Sequence, residues 1–136
     1  MKTKKKTSRN TRQQQAVLRE LRRVDTHPTA DELFLRVRRA MPRISLATVY
    51  RNLTKLAEKG QVTVLDAAAG QRRYDGNHAN HLHVRCRDCD RVADATAAVP
   101  FEQAIEPLSK LKDPASFKVE GCKVELIGLC QSCQTR

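Results

Sequence analysis

The sequence predicts an α+β chain in two parts: three helices closed by a two-stranded hairpin, then a small α/β unit that carries metal ligands. Three observations predict this. Apolar residues recur at helical spacing through the first 56 residues and then give way to the alternation of short strands. Two Cys-x-x-Cys pairs, Cys86-Arg-Asp-Cys89 and Cys130-Gln-Ser-Cys133, lie in the second half. The whole net charge of +11 belongs to the first part, where residues 1–60 carry 16 Lys/Arg and 5 Asp/Glu; residues 61–136 carry 10 of each. A charge divided in this way makes a polyanion the expected partner of the first half and leaves the second half another task.

The length of 136 residues allows one long domain or two small ones. No run of about 18 apolar residues exists, so no membrane span is expected. The charged start, Met1 to Lys6, lacks the apolar stretch of a signal peptide, and a cytoplasmic location is the expectation. Thiols stay reduced there, and the five cysteines are an odd number, which a pure disulfide framework does not explain.

The elements follow in order. A first helix is expected from Arg12 to Val24, with Val17, Leu18, Leu21 and Val24 on one face. Thr29-Ala30-Asp31-Glu32 has the spacing of a capping box. It opens a second helix that turns Leu33, Phe34, Val37 and Met41 inward and stops near Pro42. Ser45 caps a third helix, whose Leu46, Val49, Leu53 and Leu56 form one stripe before Gly60 ends it. Val62–Leu65 and Gln71–Tyr74 then read as a hairpin. This is the order of a winged helix-turn-helix, with the third helix placed for the major groove. Asp75-Gly76-Asn77 reads as a hinge, so the expected domains are residues 1–75 and 81–136, joined by residues 76–80. Leu82–Arg85 and Arg91–Ala93 are short strands around the first cysteine pair. Pro100 to Leu111 is a helix with Phe101, Ile105 and Leu108 to pack and a break or kink at Pro107. Phe117–Leu129 gives one or two strands and ends on the second cysteine pair.

The cysteine pairs are the strongest chemical signal. Each two-residue spacer turns the chain back, so Cys86, Cys89, Cys130 and Cys133 suit one tetrahedral Zn²⁺; two disulfides are the alternative. Forty residues separate the pairs, so zinc would fasten distant parts of the chain together. Cys122 is left over and reads as a small apolar strand residue. Asp75, His78, His81 and His83 make a second cluster. On the third helix, Arg51 is the candidate to read guanine, Thr48 and Asn52 can assist, and Tyr50 is either a DNA contact or a packed aromatic. Lys4 to Arg12, and Arg72 and Arg73 in the hairpin, are candidates to grip phosphates.

Four segments resemble the ferric uptake regulator (Fur) family of metal-dependent bacterial repressors. They are His27-Pro28-Thr29-Ala30-Asp31-Glu32, Ala47-Thr48-Val49-Tyr50-Arg51-Asn52-Leu53, His81 through Cys89, and Glu125 through Cys133. The resemblance runs from about residue 11 onward and implies a homodimer on double-stranded operator DNA, with an N-terminal winged helix and a C-terminal α/β dimerisation domain. It is closest to the peroxide-sensing PerR branch. That branch implies a regulatory metal held by His27, Asp75, His81, His83 and Asp94. Iron-sensing members usually carry Glu where Asp75 stands and an acidic residue where Leu82 stands. Three imidazoles and two carboxylates suit Fe²⁺ or Mn²⁺ and leave a coordination position open. The implied function is a repressor, not an enzyme, relieved when peroxide and iron oxidise His27 or His81. An iron, manganese or zinc uptake regulator without a peroxide response is the alternative. A zinc-dependent hydrolase built on the His/Asp cluster is the alternative of another class.

Overall fold

A computed structural model describes residues 8–66, 70–77, 79, 81–96, 98–110, 116–118 and 123–136. The chain divides into two compact units, Met1–His78 and Ala79–Arg136. Lys4 to Lys6, the hairpin tip at residues 67–69, His78, Leu111 and Cys122 lie outside the described residues.

The first unit holds α1 (Arg9–Arg22), α2 (Ala30–Ala40), α3 (Leu46–Glu58) and the strands β1 (Thr63–Leu65) and β2 (Arg73–Asp75). Its core is one stripe from each helix: Ala16, Val17 and Leu21; Leu33 and Val37; Val49, Leu53 and Leu56. Val62 and Tyr74 close it from the hairpin side. Each fully buried Val or Leu contributes about 1.5–3 kcal/mol, so these stripes are what hold the three helices together. Leu18, Phe34 and Met41 pack at the edge of the core.

Local chemistry sets the ends of the helices. The Ser8 hydroxyl accepts the Thr11 amide, which starts α1 three residues before the expected Arg12. The helix ends at Arg22, so Val24 lies beyond it. Thr29 and Glu32 form the expected capping box of α2. Ser45 caps α3 through the Thr48 amide. At its other end Gly60 has φ +70°, and the amides of Gly60 and Gln61 return to the carbonyls of Ala57 and Leu56.

β1 and β2 pair antiparallel, Thr63 opposite Asp75 and Leu65 opposite Arg73. Asp75 is therefore the last residue of a strand and not part of a loose hinge. Its carboxylate accepts the Asn77 amide at 2.8 Å, an Asx turn that ends the strand. Gly76 is buried, and a Cβ there would stand 3.1 Å from Arg22 Cγ and 3.2 Å from Leu21 Cγ. A side chain here would have to push the Arg22 and Leu21 side chains aside by a few tenths of an ångström, so the close approach to the end of α1 favours glycine.

The second unit holds β3 (Leu82–Cys86), β4 (Val92–Ala95), α4 (Phe101–Ser109), β5 (Glu125–Gly128) and α5 (Gln131–Gln134). The strand order is β4-β3-β5, with β4 antiparallel and β5 parallel to β3. Of the break or kink expected at Pro107, the break does not occur: α4 runs through it to Ser109, and the Lys110 amide just beyond donates to the Pro107 carbonyl. Proline in the last turn forfeits a single backbone bond, which a helix end tolerates. Phe101 and Ile105 are half-buried, while Leu108 is exposed. Among the described residues no helix is long and apolar enough to cross a membrane.

Candidate metal centres and nucleic-acid interface

The cysteine centre is built at the end of β3. Cys86 is the last residue of that strand, and its carbonyl accepts the Asp90 amide while its amide donates to the Arg91 carbonyl. The chain between them turns tightly enough to put Asp90 in the left-handed region, φ +61°. The parallel strand β5 delivers Cys130 to the same place, where it caps α5 and donates its amide to Cys86 Sγ at 3.4 Å. One turn into α5, Cys133 follows. The four sulfurs lie within 4.8 Å of one another. Cys89 and Cys130 are 3.6 Å apart at sulfur, far beyond the about 2.05 Å of a disulfide bond. None of the four is in a disulfide.

Their electrostatics fit a cation. Backbone amides, that of Cys130 foremost, lower the Cys86 thiol to about 6 from an ordinary 9.0. The Cys133 amide lowers Cys130 in the same way. Cys133 is pushed up by its hydrogen bond to the Asp88 side chain, by burial and by the neighbouring sulfurs. Four sulfurs this close resist ionising together unless a cation shares them. That donor set, all soft and with no fifth ligand, fits Zn²⁺ in a closed structural site.

The histidine cluster has two parts, one in each unit. In the first unit, Tyr74 donates its amide to the Pro28 carbonyl, and Thr29 bridges to Arg73, so the His27 segment lies along β2. That pairing brings His27 Nδ1 to 3.6 Å from Asp75 Oδ1, both side chains almost wholly buried. His27 has φ +47°, in the left-handed region that a residue with a Cβ rarely adopts. In the second unit, His81 and His83 are two residues apart on an extended segment and share a face, and Asp94 is the β4 residue opposite His83. His81 Nε2 lies 2.9 Å from His83 Nε2 and 3.0 Å from Asp94 Oδ1, and His83 Nε2 lies 3.6 Å from the same oxygen. The other ring nitrogen of His81, Nδ1, meets the Ala79 carbonyl. Such an arrangement suits a metal ligand, with Nδ1 fixed by a carbonyl and Nε2 turned toward the other candidate donors.

On α3, Arg51 is exposed and its Nη2 donates to Thr48 Oγ1 at 3.0 Å. Tyr50 is 45% exposed, so it is no core aromatic; its hydroxyl donates to Asp31 at 3.2 Å. Burial first, then that carboxylate, raises its pKa. Arg12 and Arg72 are exposed. Two expected contacts do not face outward. Asn52 is 6% exposed and donates its amide to the Thr48 carbonyl one turn back. Arg73 donates to the His27 carbonyl at 3.0 Å and to Glu32 at 3.4 Å, with its side chain 14% exposed. It fastens the His27 segment instead of reaching for phosphate. The sequence reading also missed Arg85, a buried arginine between Asp90 and Glu125.

A winged three-helix unit with a basic surface, followed by a unit with a four-cysteine centre and a histidine cluster, defines the class of metal-responsive regulators of transcription. The sequence model of the Ferric uptake regulator family matches residues 5–127. The Peroxide-responsive repressor PerR of Staphylococcus aureus (strain USA300) is 36% identical over 128 residues, 94% of this chain and 84% of its own. The crystal structure of the Campylobacter jejuni peroxide stress regulator superimposes with a TM-score of 0.68 at 30% identity, over 91% of this chain and 90% of its own. A zinc uptake regulator complexed with zinc and DNA superimposes with a TM-score of 0.63 at 26% identity, over 96% of this chain and 86% of its own. The chain belongs to the ferric uptake regulator family. Members of that family are transcriptional regulators and not enzymes, so the hydrolase reading falls.

Proposed function

We propose that this chain is a peroxide-responsive, metal-dependent repressor that acts in the cytoplasm as a homodimer on double-stranded operator DNA. Its 36% identity to a PerR repressor over 94% of the chain carries the reading. In it, Cys86, Cys89, Cys130 and Cys133 hold a structural Zn²⁺. His27 and Asp75 of the first unit and His81, His83 and Asp94 of the second hold one regulatory Fe²⁺ or Mn²⁺. The roles divide at the boundary between the units: residues 1–75 bind DNA, residues 76–80 link, and residues 81–136 dimerise and bind metal. Arg51 reads a base, Tyr50 and Thr48 support it, and Arg12 and Arg72 contact phosphates.

The residues supply the switch. Ligands drawn from both units tie metal affinity to the arrangement of the two DNA-reading helices, because whatever favours one favours the other. His27 and Asp75 offer their donors from side chains that are almost wholly buried. His81, oriented by the Ala79 carbonyl, presents one nitrogen only. When bound there, Fe²⁺ would promote reduction of hydrogen peroxide at the expense of a neighbouring imidazole, which would gain one oxygen atom while the other leaves as water, chemistry that Mn²⁺ would support far less readily. Oxidation of His27 or His81 would remove a donor, weaken the hold on the metal and so relieve repression.

Peptide mass spectrometry tests this on protein loaded with Fe²⁺ or Mn²⁺, before and after a small excess of peroxide. A one-oxygen increment on the His27 or His81 peptide, with iron only, is the expected result. Unmodified histidines in protein that stays metal-loaded would leave a plain metal uptake regulator as the better reading.

A further inference from the structure

Arg85 is 5% exposed, and nothing in the proposed switch uses it. Its Nη1 donates to Asp90 at 2.8 Å, and its Nε and Nη2 donate to the same oxygen of Glu125 at 3.0 and 2.9 Å. Burial opposes its charge, and the bonds to Glu125 and Asp90 outweigh that opposition and raise its pKa. Asp90 makes its half of the contact from the turn that follows Cys86, where its φ is +61°. The other half matters more for function. Glu125 is the residue of β5 directly opposite His83 on β3, and Asp94 is the residue of β4 opposite His83 on its other side. Register partners share a face of the sheet. His83 is thus flanked by two carboxylates, symmetrically placed by the backbone. Only one turns toward it: Asp94 reaches His83 and His81, whereas Glu125 is drawn along the strand to Arg85.

We propose that Arg85 is a positioning residue that keeps the Glu125 carboxylate out of the regulatory metal's coordination sphere and so preserves the open position. This rests on the proposed reading of His81, His83 and Asp94 as ligands. Without the guanidinium, Glu125 loses its paired cation on the strand register of His83, where a divalent cation would offer it a new partner. A sixth donor tightens the site and closes the position that peroxide needs. Arg85 trades metal affinity for access.

The test is Mn²⁺ titration of the full-length zinc-loaded protein, free Mn²⁺ being read by electron paramagnetic resonance. Arg85→Met is expected to bind Mn²⁺ at least about tenfold more tightly, the scale on which outer-shell partners act. The double variant with Glu125→Gln is expected to return to the wild-type affinity. A purely structural arginine gives the opposite pattern, weaker binding in the single variant with no rescue in the double. Glu125→Gln alone leaves the Arg85–Asp90 pair intact and serves if Arg85→Met does not fold. It is expected to hold Mn²⁺ within about twofold of wild type, whereas a tenfold loss would mean Glu125 already ligates and would overturn the proposal. Wild-type protein with no saturable Mn²⁺ site sinks the parent reading, while wild-type binding with Arg85→Met unchanged or weaker sinks this one alone.

Discussion

His27 is a buried imidazole on a left-handed backbone, φ +47°, held by Arg73 at its carbonyl. A conformation of that kind costs on the order of 1–3 kcal/mol and persists where the surroundings impose it. Asparagine adopts it with less strain, which gives a clean test. His27→Asn is expected to leave the melting temperature of zinc-loaded protein within a few degrees of wild type, while Mn²⁺ binding weakens at least about tenfold. A large loss of melting temperature with unchanged Mn²⁺ affinity would make His27 a structural residue. The cysteines offer a second test. In the folded chain backbone amides lower the Cys86 thiol from 9.0 to about 6, so protons compete weakly for that sulfur at neutral pH. Zinc retention by the folded protein is expected to be lost as pH falls through about 6, read with a colorimetric zinc indicator; retention unchanged well below that pH would count against Cys86 as a ligand. The ligand types were legible in the sequence because cysteine and histidine spacings are local. Arg85 and Arg73 were not, because their partners Glu125 and His27 lie 40 and 46 residues away, and no local pattern announces such a pairing.

At the scale of elements, α3 was legible in its apolar stripe and its Ser45 cap, and misread at one polar position. Asn52 stands three residues after Val49 and beside Leu53, on the buried side, and satisfies its amide on the Thr48 carbonyl. A helix wheel places it there, and the amide's chemistry alone suggested the opposite. The two neighbours should therefore separate in experiment. Arg51→Ala is expected to weaken binding to a selected DNA duplex by about 1–3 kcal/mol with little change in urea unfolding. Asn52→Ala is expected to shift urea unfolding by about 1–3 kcal/mol and to affect DNA binding only through that loss. Hairpin boundaries slipped for a related reason. β2 extends to Asp75 because Thr63 pairs with it across the ladder, and a three-residue strand has no periodicity to mark its end.

For the molecule as a whole, charge and metal divide the labour between two units. Since the entire +11 lies in residues 1–60, DNA affinity is expected to fall steeply with salt. Each phosphate contact removed, as in Arg72→Gln, should reduce the slope of log affinity against log salt by about 1; an unchanged slope would take Arg72 out of the interface. The first unit has a three-helix core of its own, and the second has few fully buried apolar side chains, Val92 the largest of them. A zinc chelator is expected to abolish the folded signals of residues 79–136 while those of residues 8–66 persist, observable by amide nuclear magnetic resonance. Simultaneous loss of both would show that the units do not fold independently.

The parallel pairing of β3 with β5 joins His83 to Glu125 across 41 intervening residues. Such contacts form late, after the local helices of the first unit, because a long loop must close before any bond rewards it. Cys86 and Cys89 meet Cys130 and Cys133 only once that loop has closed, so zinc supply is expected to set how long the open form lasts. Ile127 and Leu126, exposed even in the finished sheet, lie on the strand that arrives last. Chains made without zinc are then expected to carry a folded first unit and an open second one, the kind of substrate proteases remove; a shorter lifetime of newly made chains under zinc starvation, read by pulse-chase, is the outcome that checks this.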